Sequence, residues 1–279
     1  MVIAGSSKPI TEEFILASKV FGNTRTIRIL LPPDYYDARN ARRSYPVLYL
    51  NDGVSVFKST AIGVATVVED LLRGGDVRPF IVVGMDNGGS TTTSTNPGFD
   101  RAMEYLPYPD VGFAPDHKYP AETPHPRGEL YPKFLFDEVM PAVKARYRVS
   151  SRPADIALGG FSYGGDAALF TVMTHPGSVG GVLLESTPLW IGEDRALLRN
   201  AQAAAHWPKR VVLGMGTAEA PDKTINEEGL RDLKMLEAAI RSASPHTTTL
   251  VTIEENATHG PAAWRRRLPA ALKFLFGRS

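Results

Sequence analysis

The chain has 279 residues, of which 43% are hydrophobic and 22% charged, which is typical of an ordinary globular protein. Lys and Arg (31) nearly balance Asp and Glu (30), so no broad positive field favours a nucleic-acid partner. The absence of Cys excludes a Cys nucleophile, thiolate metal ligands and disulfides.

The length and the N-terminal residues set expectations for organisation. One large α/β domain accounts for residues 1–279, and no internal repeat or linker divides them. Residues 1–8 are too short and too weakly apolar for a signal peptide, and no run of 18 apolar residues is present. We therefore expect a cytoplasmic protein without a membrane span.

The predicted elements alternate between strands and helices. Two strands at 13–20 and 24–31 are predicted to form a hairpin. Further strands are predicted at 46–50, 79–84, 155–158, 179–185, 211–216 and 247–254. Helices are predicted at 57–72, 129–147, 166–173, 196–205, 227–241 and 262–276. This alternation predicts an α/β fold with a mostly parallel, doubly wound sheet, antiparallel N-terminal edge strands and helices on both faces.

A long segment at 85–130 interrupts the alternation without a sustained period. A connection of that length in a compact domain is usually functional or disordered. Because it is rich in aromatic residues, we expect a folded loop over the site, with Arg101 and Tyr105 binding substrate. Its basic residues are candidates for contact with a polar or anionic substrate: Arg101, His117, His125 and Arg127.

The pentapeptide Gly160-Phe161-Ser162-Tyr163-Gly164 has the G-x-S-x-G pattern of a nucleophile elbow. A short apolar strand precedes it and a buried helix follows it, which is the context that such a turn requires. The flanking glycines fit a tight turn because they have no Cβ to clash. The pattern predicts Ser162 as a nucleophile.

A Ser nucleophile needs a base that is oriented by a carboxylate. His259 follows the last predicted strand and opens the last helix, where the order Ser, acid, His places the base. Glu219 comes first after the strand at 211–216 and is our choice for the acid. Asp222 is the second candidate, and Glu185, after the preceding strand, is the third.

The negative oxygen of a tetrahedral intermediate needs converging N–H donors. The Tyr163 N–H, directly after the nucleophile, is one candidate. The second is expected from the loop after the strand at 46–50, where we choose the Val54 N–H and place Gly53 next.

Together these stretches make the sequence similar to the esterase branch of the α/β hydrolases, which includes esterase D, enterochelin-esterase-like enzymes, feruloyl esterases and mycolyltransferases. Residues 45–53 resemble the oxyanion loop of that family, residues 159–165 its elbow, and His259-Gly260 with residues 264–268 its His loop and closing helix. Asp100-Arg101 with Glu104-Tyr105 resembles a segment beside the active site of the enterochelin-esterase-like members. The resemblance implies the α/β-hydrolase fold, with Ser162 as nucleophile, His259 as base and Glu219 as acid.

The sequence therefore predicts a serine esterase, a carboxylic ester hydrolase of the EC 3.1.1 type, that uses an acyl-enzyme and needs neither metal nor cofactor. Its expected partner is a small-molecule ester, and the aromatic segment at 85–130 suggests an aryl or siderophore-type ester. Two alternatives stay open. The same residues would serve an acyltransferase, and an esterase-like fold without activity would serve as a binding module.

Overall fold

The computed structural model describes residues 8–110 and 125–278. These residues contain one sheet of eight strands: β1 (Ile10–Ser18), β2 (Asn23–Leu31), β3 (Val47–Asn51), β4 (Ile81–Met85), β5 (Ile156–Phe161), β6 (Gly181–Glu185), β7 (Arg210–Ala218) and β8 (Thr248–Thr258). The strand order is β1-β2-β4-β3-β5-β6-β7-β8. β2 is antiparallel to β1 and β4, and all other neighbours are parallel. This confirms the predicted sheet and its antiparallel N-terminal edge.

Helices cover both faces of the sheet. They are α1 (Gly53–Phe57), α2 (Val64–Arg73), α3 (Pro97–Tyr105), α4 (Tyr131–Lys133), a π-helical stretch (Phe134–Val139), α5 (Met140–Lys144), α6 (Tyr163–Thr174), α7 (Ala196–Ala203), α8 (Lys223–Ala243) and α9 (Pro261–Phe276). Successive strand side chains point to opposite faces. In β3, Val47 and Tyr49 join the core under α4 to α8, whereas Leu48 and Leu50 join the core under α1, α2 and α9.

Two predicted elements were wrong in their extent. The helix predicted at 57–72 begins only at Val64, as α2, where Gly63 with a φ of 63° caps it in a left-handed conformation, and the separate helix α1 ends at Phe57. The predicted loop at 85–130 contains α3, which starts where Pro97 takes the first helical position and the Asn96 side chain accepts the Phe99 N–H. Nine residues are too few to produce an obvious period, but Asn96-Pro97 is a readable start signal.

The parallel strands bring their following residues to one edge of the sheet. Ser162 directly follows β5, Glu219 follows β7 and His259 follows β8. Because the carboxyl ends of adjacent parallel strands meet at the same edge, residues distant in sequence come together there. This edge carries the candidate site.

Candidate active site

Ser162 occupies a backbone conformation that is rare for a residue with a side chain. Its φ is 54° and its ψ is −134°, a strain of about 1–3 kcal/mol. The Ser162 N–H donates to the carbonyl of Glu185 at 2.9 Å, and the Gly165 N–H donates to the Ser162 carbonyl at 2.7 Å. A Cβ on Gly160 would lie 2.1 Å from the Gly164 carbonyl oxygen, so a side chain there would push the turn apart. The predicted strand–helix junction at Ser162 is confirmed.

Glu219 and His259 meet because their strands are paired. Ala218, the last residue of β7, lies opposite Thr258, the last residue of β8. The next residue of each strand therefore emerges beside its neighbour. His259 Nδ1 and Glu219 Oε2 are 2.6 Å apart, a short hydrogen bond in which the imidazole N–H donates to the carboxylate. This bond leaves Nε2 as the basic nitrogen of the neutral ring.

The second carboxylate oxygen of Glu219 is also occupied. Oε1 accepts the Ser186 hydroxyl at 2.7 Å and the Gly216 N–H at 2.6 Å. Burial acts to raise the pKa of Glu219, but the hydrogen bonds from His259, Ser186 and Gly216 outweigh it and hold the pKa below its ordinary value. Glu219 is therefore ionised at neutral pH with each oxygen in a fixed direction.

The other two candidate acids have different partners. Asp222 caps the first turn of α8, where its side chain accepts a backbone N–H at 2.7 Å. Glu185 is buried, and its Oε2 lies 2.8 Å from Arg267 Nε. Of the three candidate carboxylates, Glu219 is the one that the structure places against His259.

Ser162 and His259 line two cavities together. The larger, of about 520 Å³, is lined by apolar side chains such as Ile62 and Trp264 and by polar or charged ones that include Asp52, Lys58 and Arg101. The smaller, of about 380 Å³, is mainly apolar and is lined by residues that include Tyr163, Pro188, Trp190, Met215 and Ile225. Within the described residues the hydrogen bonds do not include one from the Ser162 hydroxyl to His259. Catalytic bonds of this kind often tighten only when substrate binds.

The two expected oxyanion donors lie at helix N-termini. Tyr163 is the first residue of α6, and Val54 is the second residue of α1 and lines the larger cavity with Ser162. N–H groups in the first turn of a helix lack intrahelical partners and favour negative charge. The Val54 N–H donates to the Asp86 side chain, however. Burial raises the pKa of Asp86, and hydrogen bonds from Arg28 and from the Val54 N–H oppose this rise. A substrate oxyanion would compete with Asp86 for that donor.

Asn51 links the two loops that carry these donors. Its side-chain amide donates to the carbonyl of Gly164 at 2.6 Å, and its oxygen accepts the Tyr131 hydroxyl. Asn51 is fully buried at the end of β3. Sequence reasoning missed this bridge, although a polar residue that closes an otherwise apolar buried strand is a signal for it.

Arg101 and Tyr105, the predicted substrate-binding residues, both hold Asp52. Arg101 Nε and Nη2 lie 2.7 and 2.8 Å from the two carboxylate oxygens of Asp52, and Nη2 also donates to the Phe161 carbonyl at 3.2 Å. Arg101 lines the larger cavity. The prediction for Tyr105 does not fit the structure, because its side chain is 1% exposed and its hydroxyl accepts the Asp52 N–H at 3.1 Å. Tyr105 lies beneath the loop that it supports.

The other basic candidates lie away from the cavities or outside the described residues. Arg127 donates to the Val20 carbonyl at 2.9 Å and lies over the Phe21 ring. His125 is exposed and lines neither cavity. His117 is outside the described residues.

The described residues contain neither a candidate metal site nor a candidate membrane span. Across residues 8–110 and 125–278, no group of three or more His, Cys, Asp or Glu side chains is placed to hold a metal ion. No helix in the same part of the chain has the length and hydropathy to cross a membrane.

Two curated relatives share part of their length with this chain. An endo-1,4-beta-xylanase/feruloyl esterase of Xylanibacter ruminicola is 26% identical over 263 residues, which are 93% of this chain and 30% of that protein. A siderophore triacetylfusarinine C esterase of Aspergillus fumigatus is 25% identical over 183 residues, which are 65% of this chain and 57% of that protein. This chain therefore spans less than two thirds of either relative.

One solved structure shares the fold of this chain, and one family model matches nearly its whole length. The siderophore hydrolase EstB of Aspergillus nidulans superposes with a TM-score of 0.71 at 21% identity, covering 96% of this chain and 95% of that one. The likeness shows a shared fold, which is the α/β-hydrolase fold predicted from the sequence. The family model described as "Putative esterase" matches residues 18–275, nearly the whole chain. The chain therefore belongs to this esterase family and is a carboxylic ester hydrolase.

Proposed function

We propose that the chain hydrolyses carboxylic esters through an acyl-enzyme on Ser162, with His259 as general base and Glu219 as the acid that orients it. One observation carries the proposal. The 2.6 Å bond from His259 Nδ1 to Glu219 fixes the tautomer in which Nε2 is basic, and His259 lines the same two cavities as the strained Ser162.

The proposed reaction has two halves. Ser162 Oγ attacks the ester carbonyl carbon and its proton passes to His259 Nε2. The C–O bond to the alcohol then breaks, and Nε2 gives that proton to the departing alcohol. A water attacks the acyl-Ser162 ester, loses a proton to Nε2 and releases the acid, and the proton returns to Oγ. In both halves the Glu219 carboxylate stabilises the imidazolium.

Negative charge on the carbonyl oxygen would be met by the Tyr163 N–H and by an N–H of the β3–α1 loop. Val54 is our choice for the second donor, with Gly53 as the alternative. Removing one such donor typically costs about 3 kcal/mol of transition-state stabilisation. The bond from Asn51 to the Gly164 carbonyl supports this arrangement, because it holds the two donor loops together before substrate arrives.

We further propose an aryl or siderophore-type ester as substrate. The smaller cavity offers an indole, a thioether and aliphatic groups from Trp190, Met215 and Ile225, which suit an aromatic ring. The larger cavity is lined by the Lys58 cation and by the Arg101–Asp52 ion pair, which suit a polar remainder. Relatives named as feruloyl and siderophore esterases are consistent with this substrate class.

The test compares the intact protein with Ser162→Ala and His259→Ala on p-nitrophenyl butyrate, with folding followed by circular dichroism. Loss of activity in both variants, together with a mass increase equal to the acyl group in quenched intact protein, is the expected result. A folded wild-type protein without activity, or a fully active Ser162→Ala, would refute the proposal. Hydrolysis of methyl ferulate is then compared with hydrolysis of methyl butyrate to test the substrate class. The proposed class is wrong if only the aliphatic ester is hydrolysed.

A further inference from the structure

Ser186 contacts the candidate acid from a position that no sequence pattern marks. It directly follows β6, is 5% exposed, and has a φ of 49°, which non-glycine residues rarely adopt. Its N–H donates to the Gly214 carbonyl at 2.7 Å, and its hydroxyl lies 2.7 Å from Glu219 Oε1. The strained backbone and the buried hydroxyl both direct Ser186 toward the neighbouring strand β7.

Two groups that can only donate fix the direction of the Ser186 proton. Trp264 Nε1 donates to Ser186 Oγ at 2.9 Å, and Arg267 Nη2 donates to it at 3.3 Å. A hydroxyl has two acceptor lone pairs and one proton. With both lone pairs taken by N–H donors, the proton of Ser186 is left for Glu219 Oε1.

Arg267 is itself held in place on its other nitrogens. Nε lies 2.8 Å from Glu185 Oε2, and Nη1 lies 3.0 Å from Glu254 Oε2. The Arg267 side chain is 3% exposed, so its planar guanidinium cannot turn without breaking two charge-assisted bonds. The third nitrogen, Nη2, therefore stays directed at Ser186 and lies 4.0 Å from Glu219 Oε1.

We infer that Ser186 is a positioning residue for the acid of the proposed triad, with its donor direction imposed by Trp264 and Arg267. This inference rests on the proposed function. By holding Oε1, Ser186 fixes the rotation of the Glu219 carboxylate so that Oε2 meets His259 Nδ1. Ser186 acts only through Glu219 and does not touch the reacting atoms.

The test measures kcat and KM for p-nitrophenyl butyrate in Ser186→Ala, Ser186→Gly and Glu219→Gln, and in Ser186→Ala combined with Glu219→Gln. We expect Ser186→Ala and Ser186→Gly to lower kcat by about 10- to 100-fold, as when an ionised acceptor loses one donor, with KM changed by less than about twofold. Gly adopts the positive φ without strain. If Ser186→Ala and Ser186→Gly lower kcat equally, the loss is caused by the missing hydroxyl and not by backbone strain. In the Glu219→Gln background, Ser186→Ala is expected to have no further effect.

Ser18→Ala is the matched control. The buried Ser18 hydroxyl also donates to a carboxylate at 2.7 Å, that of Glu138, and lies at the end of the edge strand β1, four strands away from β5 in the sheet. Its loss should affect stability alone. The inference is overturned if Ser186→Ala keeps kcat within about threefold of the wild type, or if its loss is equally large in the Glu219→Gln background. If Glu219→Gln itself keeps the wild-type kcat, the proposed triad fails and the inference fails with it.

Discussion

Replacing Glu219 by Gln tests the orientation of the proposed triad most directly. In the wild type Oε1 accepts the Gly216 N–H and the Ser186 hydroxyl, and Oε2 accepts His259 Nδ1–H. The Gln amide has one oxygen and one NH2 group. Because the Gly216 N–H can only donate, the amide oxygen must take the Oε1 position. The NH2 group then faces His259 Nδ1.

This arrangement forces the wrong tautomer on the imidazole. Nδ1 becomes the acceptor, the ring proton moves to Nε2, and Nε2 can no longer take the proton of Ser162. A carboxylate-to-amide change of this kind lowers kcat by about 10⁴-fold in serine proteases, which corresponds to about 5 kcal/mol of transition-state stabilisation. We expect a loss of that size in kcat for p-nitrophenyl butyrate, with KM nearly unchanged.

Asp222→Asn is the control for this variant. Asn is as good an N-cap as Asp, so the bond from Asp222 to the Thr224 N–H at 2.7 Å should have a close substitute. The control removes a neighbouring carboxylate charge without loss of α8, and its kcat should stay within about twofold of the wild type. A loss below about tenfold in Glu219→Gln, or a larger loss in Asp222→Asn, would refute the reasoning.

Three further results are expected. Arg101→Ala leaves the Asp52 carboxylate without its bidentate partner. The free energy of unfolding, measured in urea, should therefore fall by about 3 kcal/mol. A change below about 1 kcal/mol would contradict the role given to this pair. Gly160→Ala places a Cβ 2.1 Å from a backbone carbonyl oxygen and should lower the free energy of unfolding by about 3 kcal/mol. Gly98→Ala, in α3 with no atom within 4 Å, should raise it by up to about 1 kcal/mol. Equal urea midpoints for the two variants would contradict this contrast. Because the folded-state pKa of Glu219 is depressed, its stabilising contribution is present above the unfolded value of about 4.3 and is lost as the pH falls through the folded value. The difference in unfolding free energy between wild type and Glu219→Gln should therefore narrow from about pH 6 to about pH 3, and a constant difference would show that Glu219 is not the group concerned.

Much of the fold was predictable because its signals are local. The hairpin of β1 and β2 turns at Gly22, whose φ is 69°, and the parallel strands are short apolar runs separated by helices. The position of His259 directly after β8 followed from the same pattern, although β8 continues to Thr258, four residues beyond its predicted end.

Other features of the site depend on tertiary contacts between distant residues. The hydroxyl of Ser186 reaches Glu219 across 33 positions and is reached by Trp264 across 78. A Ser after a strand does not itself predict such a bond. Tyr105 was expected in the cavity because it is aromatic and lies in the long segment, but α3 turns it inward, where its hydroxyl meets the Asp52 N–H. The contacts of Tyr105 follow from its burial. A nine-residue helix has too few turns for its hydrophobic period to predict which residues are buried.

Backbone strain leads to the same edge of the sheet independently of the catalytic pattern. Three neighbouring strands, β3, β5 and β6, are each followed directly by a non-glycine residue with positive φ: Asp52 at 62°, Ser162 at 54° and Ser186 at 49°. Each such residue costs about 1–3 kcal/mol and persists only where surrounding bonds impose it. Here Arg101 holds Asp52, the Glu185 carbonyl holds Ser162, and Trp264 holds Ser186. Three of the six non-glycine residues with positive φ in the described part of the chain therefore lie at the strand ends that carry the candidate site.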